Sequence, residues 1–217
     1  MNKGILITGT DTGCGKTYVS WLLVRELRKA EVDAVGWKPV CCGDREDAYA
    51  LEDASDGLLS VDEINPVWFR TPIAPFPAAE LEGGGLDLDD LASKGEALRQ
   101  KHVVLGEGVG GWEVPMTAEA DFSDFAKALD WPIILVVGNK LGALSHALLT
   151  ARAIEAKGGR LVAVVLNQVQ EEQDVAGVTN GGVLRQRFGD LYAGEVMHGA
   201  EVIEPDVLAI LRARLAV

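Results

Sequence analysis

Apolar residues recur along this chain in two patterns. Some runs are apolar at every position, as in Ile133-Ile134-Leu135-Val136-Val137, which suits strands covered on both faces. Longer stretches carry apolar residues at helical spacing, leaving a polar face. This pattern predicts strands at Gly4–Thr8, Ala34–Pro39, His102–Glu107, Pro132–Gly138, Leu161–Asn167 and Tyr192–Val196. It predicts helices near Lys16–Ala30, Leu88–Gln100, Ser123–Leu129, Ala143–Lys157 and Gly182–Phe188, and a last one at about Pro205–Leu215. Their alternation implies an α/β fold, a doubly wound, mostly parallel sheet flanked by helices. Ligands of such sheets bind beyond the carboxyl ends of the strands. The residues that follow each strand are therefore where chemistry is to be sought.

The least regular stretch, Asn65–Gly85, holds Pro66, Pro72, Pro75 and Pro77 and ends in Gly83-Gly84-Gly85. It reads as a surface excursion or lid. No repeat or long linker divides the remainder, so residues 1–217 are expected to form one domain. With 217 residues, 48% of them hydrophobic, the chain can bury a substantial core. No apolar run approaches the roughly 20 residues that span a bilayer, and the first residues enter a strand rather than a charged, then apolar leader. A formal net charge of -13 disfavours nucleic acid and anionic membranes as partners. Cys14, Cys41 and Cys42 lack metal-ligand spacing, and sequence neighbours are poorly placed for an ordinary disulfide. These features predict a cytoplasmic protein that binds neither nucleic acid nor membrane.

Gly9-Thr10-Asp11-Thr12-Gly13-Cys14-Gly15-Lys16-Thr17 follows the first predicted strand and opens the first helix. A glycine-rich turn in that setting, ended by Gly-Lys-Thr, is a phosphate-binding loop. Successive backbone N–H groups curl around phosphate oxygens, and the helix start adds partial positive charge. Lys16 would neutralise the β- and γ-phosphates and the Thr17 hydroxyl would ligate Mg²⁺. The usual spacing calls for glycine at position 10, where Thr10 stands; Gly9 comes one step early, so the loop is longer by one residue. A nucleoside triphosphate is the implied ligand.

Other strand ends add to this. Lys38 follows the second strand beside the loop, where an ammonium can stabilise charge on a transferring phosphoryl group; alone it reads more readily as a surface lysine. Gly106-Glu107-Gly108-Val109-Gly110-Gly111-Trp112 ends the third strand. An acid there commonly shares Mg²⁺ with the loop hydroxyl, although a tight loop with one exposed acid fits too. Asn139-Lys140 matches the start of the guanine-reading motif of GTPases, but Gly142 replaces its acid. The helix start near Leu144–His146 offers a second anion site. Asn167, ending the fifth strand, could read a nucleobase edge or cap its loop.

Taken jointly, GTDTGCGKT (Gly9–Thr17), WKPV (Trp37–Val40), GEGVGGW (Gly106–Trp112) and VVGNKLGALSHALLT (Val136–Thr150) resemble the dethiobiotin synthetase family over nearly the full chain. That resemblance implies a P-loop NTPase-like fold, a homodimer, and ATP- and Mg²⁺-dependent ring closure of 7,8-diaminononanoate with CO₂ through a carbamate and its phosphorylated form. It implies that Lys38, Lys16 and Thr12 carry the chemistry and that Thr17, Asp47 and Glu107 hold Mg²⁺. Gly13, Cys14, Gly15, Lys16, Thr17 and Tyr18, with Glu107, Gly108, Val109 and Gly110, would wrap the nucleotide phosphates, and Asn167 would meet the base. Thr12, Lys38, Cys42 and Gly111 would contact the substrate. Leu144 and Ser145 would receive its carboxylate across the dimer interface. Asp47 is matched through Asp47-Ala48 after a shortened loop.

This chain also departs from the family pattern. Cys42 stands where a substrate-contacting serine is usual, and a thiol is a poor donor. Gly13 replaces a common acid, Ser145 an asparagine and Val109 an alanine. Gly194-Glu195-Val196-Met197-His198 lacks the proline of the base-binding segment, which leaves the preferred nucleobase open. Two alternatives stand beside this reading. One is another ATP-dependent amidoligase-type enzyme, which only the departures favour. The other is a P-loop switch or partitioning ATPase, whose relatives carry a second lysine early in the loop; Thr10-Asp11-Thr12 supplies none.

Overall fold

The computed structural model describes residues 3–172 and 174–215. In chain order its first elements are β1 (Gly4–Gly9), α1 (Lys16–Lys29), β2 (Ala34–Trp37), β3 (Val40–Cys42), α2 (Glu46–Ala54), α3 (Val61–Ile64), β4 (Val67–Phe69) and α4 (Pro75–Glu82). There follow α5 (Leu88–Lys101), β5 (Val103–Glu107), α6 (Phe122–Leu129), β6 (Ile133–Gly138), α7 (Ala143–Ala156), β7 (Leu161–Asn167), α8 (Val175–Phe188), β8 (Tyr192–Val196) and α9 (Pro205–Leu215). The all-apolar runs pair in parallel into one six-stranded sheet, ordered β2-β5-β1-β6-β7-β8.

Alternation along each strand sends neighbouring side chains to opposite faces. Ile5 and Ile7 join Leu22, Leu23 and Leu27 of α1 and Leu211 of α9, whereas Leu6 joins Trp37, Phe122, Phe125 and Trp131 on the other face. Further along that second face, Leu135, Val137, Val164 and Leu166 pack under Ala147 of α7 and Leu184 of α8. A sheet covered in this way leaves its carboxyl edge as the accessible place for a ligand. β1 sits between β5 and β6, so the loops after these three strands converge there.

Three sequence expectations need correction. The strand foreseen over Ala34–Pro39 ends at Trp37. Pro39 has no N–H to continue a ladder, and the Lys38 amide instead donates to the Ile64 carbonyl at 2.8 Å. Val40–Cys42 then pairs with Val67–Phe69 in a separate two-stranded parallel sheet. The stretch read as an excursion or lid is built into the fold. It carries β4 and α4, with Phe69, Ala78 and Ala79 buried. Pro75 and Pro77 lie in the first turn of α4, where a missing N–H costs nothing. Finally, α8 begins at Val175 rather than Gly182, and α2 and α3 went unforeseen.

Candidate active site

The loop from β1 into α1 closes through two left-handed glycines, Gly13 at φ 77° and Gly15 at φ 87°. A side chain at Gly15 would also meet Asn167, whose Nδ2 lies 1.9 Å from where a Cβ would stand. That amide donates to the Cys14 carbonyl at 3.0 Å, so the end of β7 fixes the loop from beneath. Asn167 Oδ1 is buried without a partner among the described residues. It is an acceptor that an amino group of a base would satisfy. Asp11 accepts from the Thr12 amide at 2.8 Å and pairs with Lys140 at 3.2 Å. The Lys16 ammonium donates to the Asp11 carbonyl at 3.1 Å.

Four side chains meet beside this loop. Thr17 Oγ1 lies 2.7 Å from both Asp47 Oδ1 and Glu107 Oε1. Lys38 Nζ lies 2.6 Å from Asp47 Oδ2 and from Glu107 Oε1. Each comes from a different element: Thr17 from α1, Lys38 from the β2–β3 junction, Asp47 from the first turn of α2 and Glu107 from the end of β5. A hydroxyl carries one proton, so Thr17 can satisfy only one of its two acceptors. Glu107 Oε2, fully buried, has no partner among the described residues. Two carboxylates and a hydroxyl with spare lone pairs fit a hard divalent cation such as Mg²⁺, which keeps its remaining sites for water and phosphate.

Electrostatics hold the lysine in its charged form. Burial alone pushes the Lys38 pKa down, but Glu107 and Asp47 outweigh it and raise it above the ordinary lysine value. Burial likewise pushes the Asp47 carboxyl up, and Lys38, with Thr17 and Lys16, overcomes this and holds it below the usual range. The neighbouring thiols stay protonated. Burial raises Cys41 to about 12 and Cys42 to about 11, and all three cysteines are free.

These groups face a cleft of about 680 Å³. Of the residues expected at the site, Thr12, Gly13, Gly15, Lys16, Thr17, Tyr18, Lys38, Cys42, Asp47, Glu107, Val109 and Gly110 line it. Cys14 lies buried under the loop, and Gly108 offers its carbonyl to Lys38 at 3.4 Å. Gly111 borders an adjoining hollow with Thr10, Leu149 and Thr150. Leu144 and Ser145 occupy the first turn of α7, outside the cleft. Sequence reasoning missed Asp44, Cys41, Val114 and the turn at residues 72–75, which complete the wall. No motif marks them; Pro72 and Pro75 were visible only as loop signals.

Fold and site together define a P-loop nucleotide-binding protein. Residues 3–194 match a family model described as an AAA domain. Solved structures share the fold at low identity. A plasmid partition protein from Borrelia burgdorferi is 12% identical, with TM-score 0.58, 99% of this chain and all of that one covered. Chloroplast FtsY from Physcomitrella patens is 14% identical, with TM-score 0.56, 96% of this chain and 64% of that one covered. Sequence relatives are much nearer. The ATP-dependent dethiobiotin synthetase of Akkermansia muciniphila is 44% identical over 207 residues, 95% of this chain and 97% of that protein. That of Xylella fastidiosa (strain 9a5c) is 40% identical over 213 residues, 94% of this chain and 93% of that protein. The chain belongs to the ATP-dependent dethiobiotin synthetase family.

Proposed function

We propose that this protein closes the ureido ring of dethiobiotin from 7,8-diaminononanoate and CO₂, using ATP. The observation that carries the reading is the convergence of Lys38, Thr17, Asp47 and Glu107 within hydrogen-bond distance of one another at the phosphate loop, in a member of this family. One substrate amine adds CO₂ and loses a proton, giving a carbamate. The carbamate oxygen takes the terminal phosphoryl of ATP, and ADP leaves. The second amine then attacks the carbamoyl carbon, phosphate departs, and the nitrogen of the new C–N bond gives up a proton as the ring closes.

Phosphorylating an anion with an anion requires neutralised charge at the meeting point. Lys38, kept charged by its carboxylate partners, stands where the carbamate and the terminal phosphoryl would meet. Lys16 and the N–H groups of Gly13–Tyr18 take the phosphates, with Glu107–Gly110 on the opposite wall. Mg²⁺ held by Thr17, Asp47 and Glu107 would neutralise phosphate oxygens and orient the chain of phosphates. Thr12, exposed at the mouth of the cleft, offers a hydroxyl to the carbamate, and Cys42 and Gly111 border the substrate. Asn167 offers its free Oδ1 to the base. Leu144 and Ser145, turned outside their own cleft, suit a carboxylate bound in a second copy's cleft, so the working unit is a homodimer. No helix among the described residues is long and apolar enough to cross a membrane, and we assign the enzyme to the cytoplasm.

The test is direct. The protein is mixed with ATP, Mg²⁺, bicarbonate and diaminononanoate, and the product is read by mass spectrometry. Dethiobiotin forming only when all four are present supports the reading. Phosphate release stimulated by another acid, and not by diaminononanoate, would transfer the protein to a different amidoligase activity.

A further inference from the structure

The site is assembled from two halves. Thr17 and Glu107 stand on α1 and β5 and are fixed by the main sheet and its helix layer. Lys38 and Asp47 stand on the segment that leaves that sheet after β2. The strands of this segment, β3 and β4, are three residues each, too short to set a position by pairing alone. Lys38 directly follows Trp37, which pairs with Gly106 of β5, and α2 packs against α1 and β2. What those contacts leave unheld is the main chain that turns out of the sheet at Lys38.

Asn65, buried at the end of α3 with 2% exposure, holds that main chain. Its Nδ2 donates to the Lys38 carbonyl at 2.9 Å and to the Val67 carbonyl at 2.7 Å. The Lys38 amide donates to the carbonyl of the preceding residue, Ile64, at 2.8 Å. The peptide groups on both sides of the Lys38 Cα are thus gripped by residues 64 and 65. Arg45 holds Asn65 in turn. Its Nε donates to Asn65 Oδ1 at 3.0 Å and its Nη2 to the Asn65 carbonyl at 3.0 Å. Arg45 is also the N-cap residue of α2, whose first turn carries Asp47. One planar guanidinium therefore joins the turn that grips Lys38 to the helix that presents Asp47, a task its rigid fork suits.

We propose that Asn65 and Arg45 are positioning residues for the reaction: their joined side chains set the Lys38 ammonium and the Asp47 carboxylate at fixed distance from Thr17 and Glu107. Neither touches the cleft, so they act through Lys38 and Asp47. The inference rests on the role given to Lys38 under the proposed function. Its consequence falls mainly on turnover, because the phosphate loop, which supplies most of the nucleotide contacts, is built without either residue. Thr17 and Glu107 keep their places for Mg²⁺ even when Asp47 shifts.

The experiment compares Asn65→Ala, Arg45→Ala and the double variant with the parent protein, measuring kcat and KM for ATP in dethiobiotin formation and confirming the fold by a cooperative thermal transition. Misplacement of a reacting group by about an ångström costs roughly 100-fold, so each single variant is expected to lose about 10- to 100-fold in kcat. KM for ATP should stay within about twofold, the sign that transition-state rather than ground-state contacts were lost. The double variant should be no slower than the slower single one, since both act through one linkage. Should Asn65→Ala fail to fold, Arg45→Ala decides alone by the same split between kcat and KM. Folded variants with the parent kcat, losses that multiply in the double variant, or a KM that rises in step with the fall in kcat would each overturn the inference. A parent protein that forms no dethiobiotin overturns the proposed function and this inference with it; an active parent beside equally active variants removes this inference alone.

Discussion

Lys38 and Glu107 form an ion pair of 2.6 Å in which the lysine side chain is 4% exposed and the carboxylate 0%. Glu107 depends on this lysine for its charge to be tolerated in the interior, while Lys38 also has Asp47 at 2.6 Å; removing one partner of a buried pair typically costs about 3–5 kcal/mol. Lys38→Ala should therefore do two separable things. Without Mg²⁺ it should lower stability by an amount on the order of 3–5 kcal/mol in urea unfolding, and added Mg²⁺ should return part of this by meeting the orphaned carboxylate. It should also slow ring closure by at least about 100-fold while nucleotide still binds, since Lys16 and the loop amides remain. Full activity in this variant would remove Lys38 from the chemistry.

Gly15→Ala tests the loop itself. The new Cβ would lie 1.9 Å from Asn167 Nδ2, at a residue whose φ is 87°. Both the clash and the left-handed backbone must be relieved, and only glycine adopts that conformation freely. Relief requires the loop or Asn167 to move, which breaks the bond to the Cys14 carbonyl. Nucleotide affinity, measured by calorimetry, should fall at least about tenfold, the equivalent of about 1.4 kcal/mol. Unchanged affinity would mean that the loop is not the phosphate site.

Much of the frame was legible because buried parallel strands leave long apolar runs. β1, β5, β6, β7 and β8, and the helices α1, α5, α6, α7 and α9, fall within a residue of where the pattern placed them or coincide with it. What stayed hidden has local causes. β3 and β4 are three residues long, too short for any period to register. The charged run Asp44-Arg45-Glu46-Asp47 disguised the start of α2 as a loop. The beginning of α8 was masked by Gly177 and Gly181, poor helix formers ahead of Gly182, where the pattern placed the helix start. Gly181 is there for contact: a Cβ would stand 2.1 Å from the Glu195 carboxylate. In the site, Lys16, Thr17, Lys38 and Glu107 could be named because they end strands or begin a helix. Asn65 could not, since its role depends on a carbonyl brought to it across the second sheet.

Cys42 lines the cleft, yet it should be a sluggish nucleophile. Burial and the negative charge of Glu82 disfavour its thiolate, Lys38 opposes them weakly, and the balance lifts the thiol to about 11. Only the thiolate is alkylated, so the rate follows its small population. At neutral pH, iodoacetamide should modify Cys42 on the order of 100-fold more slowly than an unperturbed cysteine, and the rate should keep climbing as pH approaches 11. Peptide mass spectrometry of timed samples resolves this site from its neighbour Cys41. Rapid labelling at pH 7, or a plateau reached below pH 9, would contradict the buried environment described for this wall of the cleft.

Tyr18 links the phosphate end of the site to the segment after β8. It lies in the first turn of α1, and its hydroxyl donates to the Ala200 carbonyl at 2.5 Å, with the Met197 carbonyl at 3.4 Å. Burial raises its pKa, so it remains a neutral donor across the working pH range. Residues 197–200 lie next to Val196 at the end of the sheet, three strands along from β1 and its phosphate loop and beside Asn167, to which Val196 is paired. That position suits contact with the base rather than with the transferring phosphoryl. Tyr18→Phe keeps the ring and removes only the donor, a loss of about 0.5–1.5 kcal/mol for a neutral hydrogen bond. KM for ATP should rise about 2- to 13-fold by that measure, kcat should hold, and discrimination between ATP and GTP should narrow if the less restrained segment is the one proposed to read the base. Parallel rate measurements with the two nucleotides separate these outcomes. A fall in kcat at constant KM would instead assign the hydroxyl to the chemical step, and equal kinetics with both nucleotides in parent and variant would show that the 197–200 segment takes no part in reading the base.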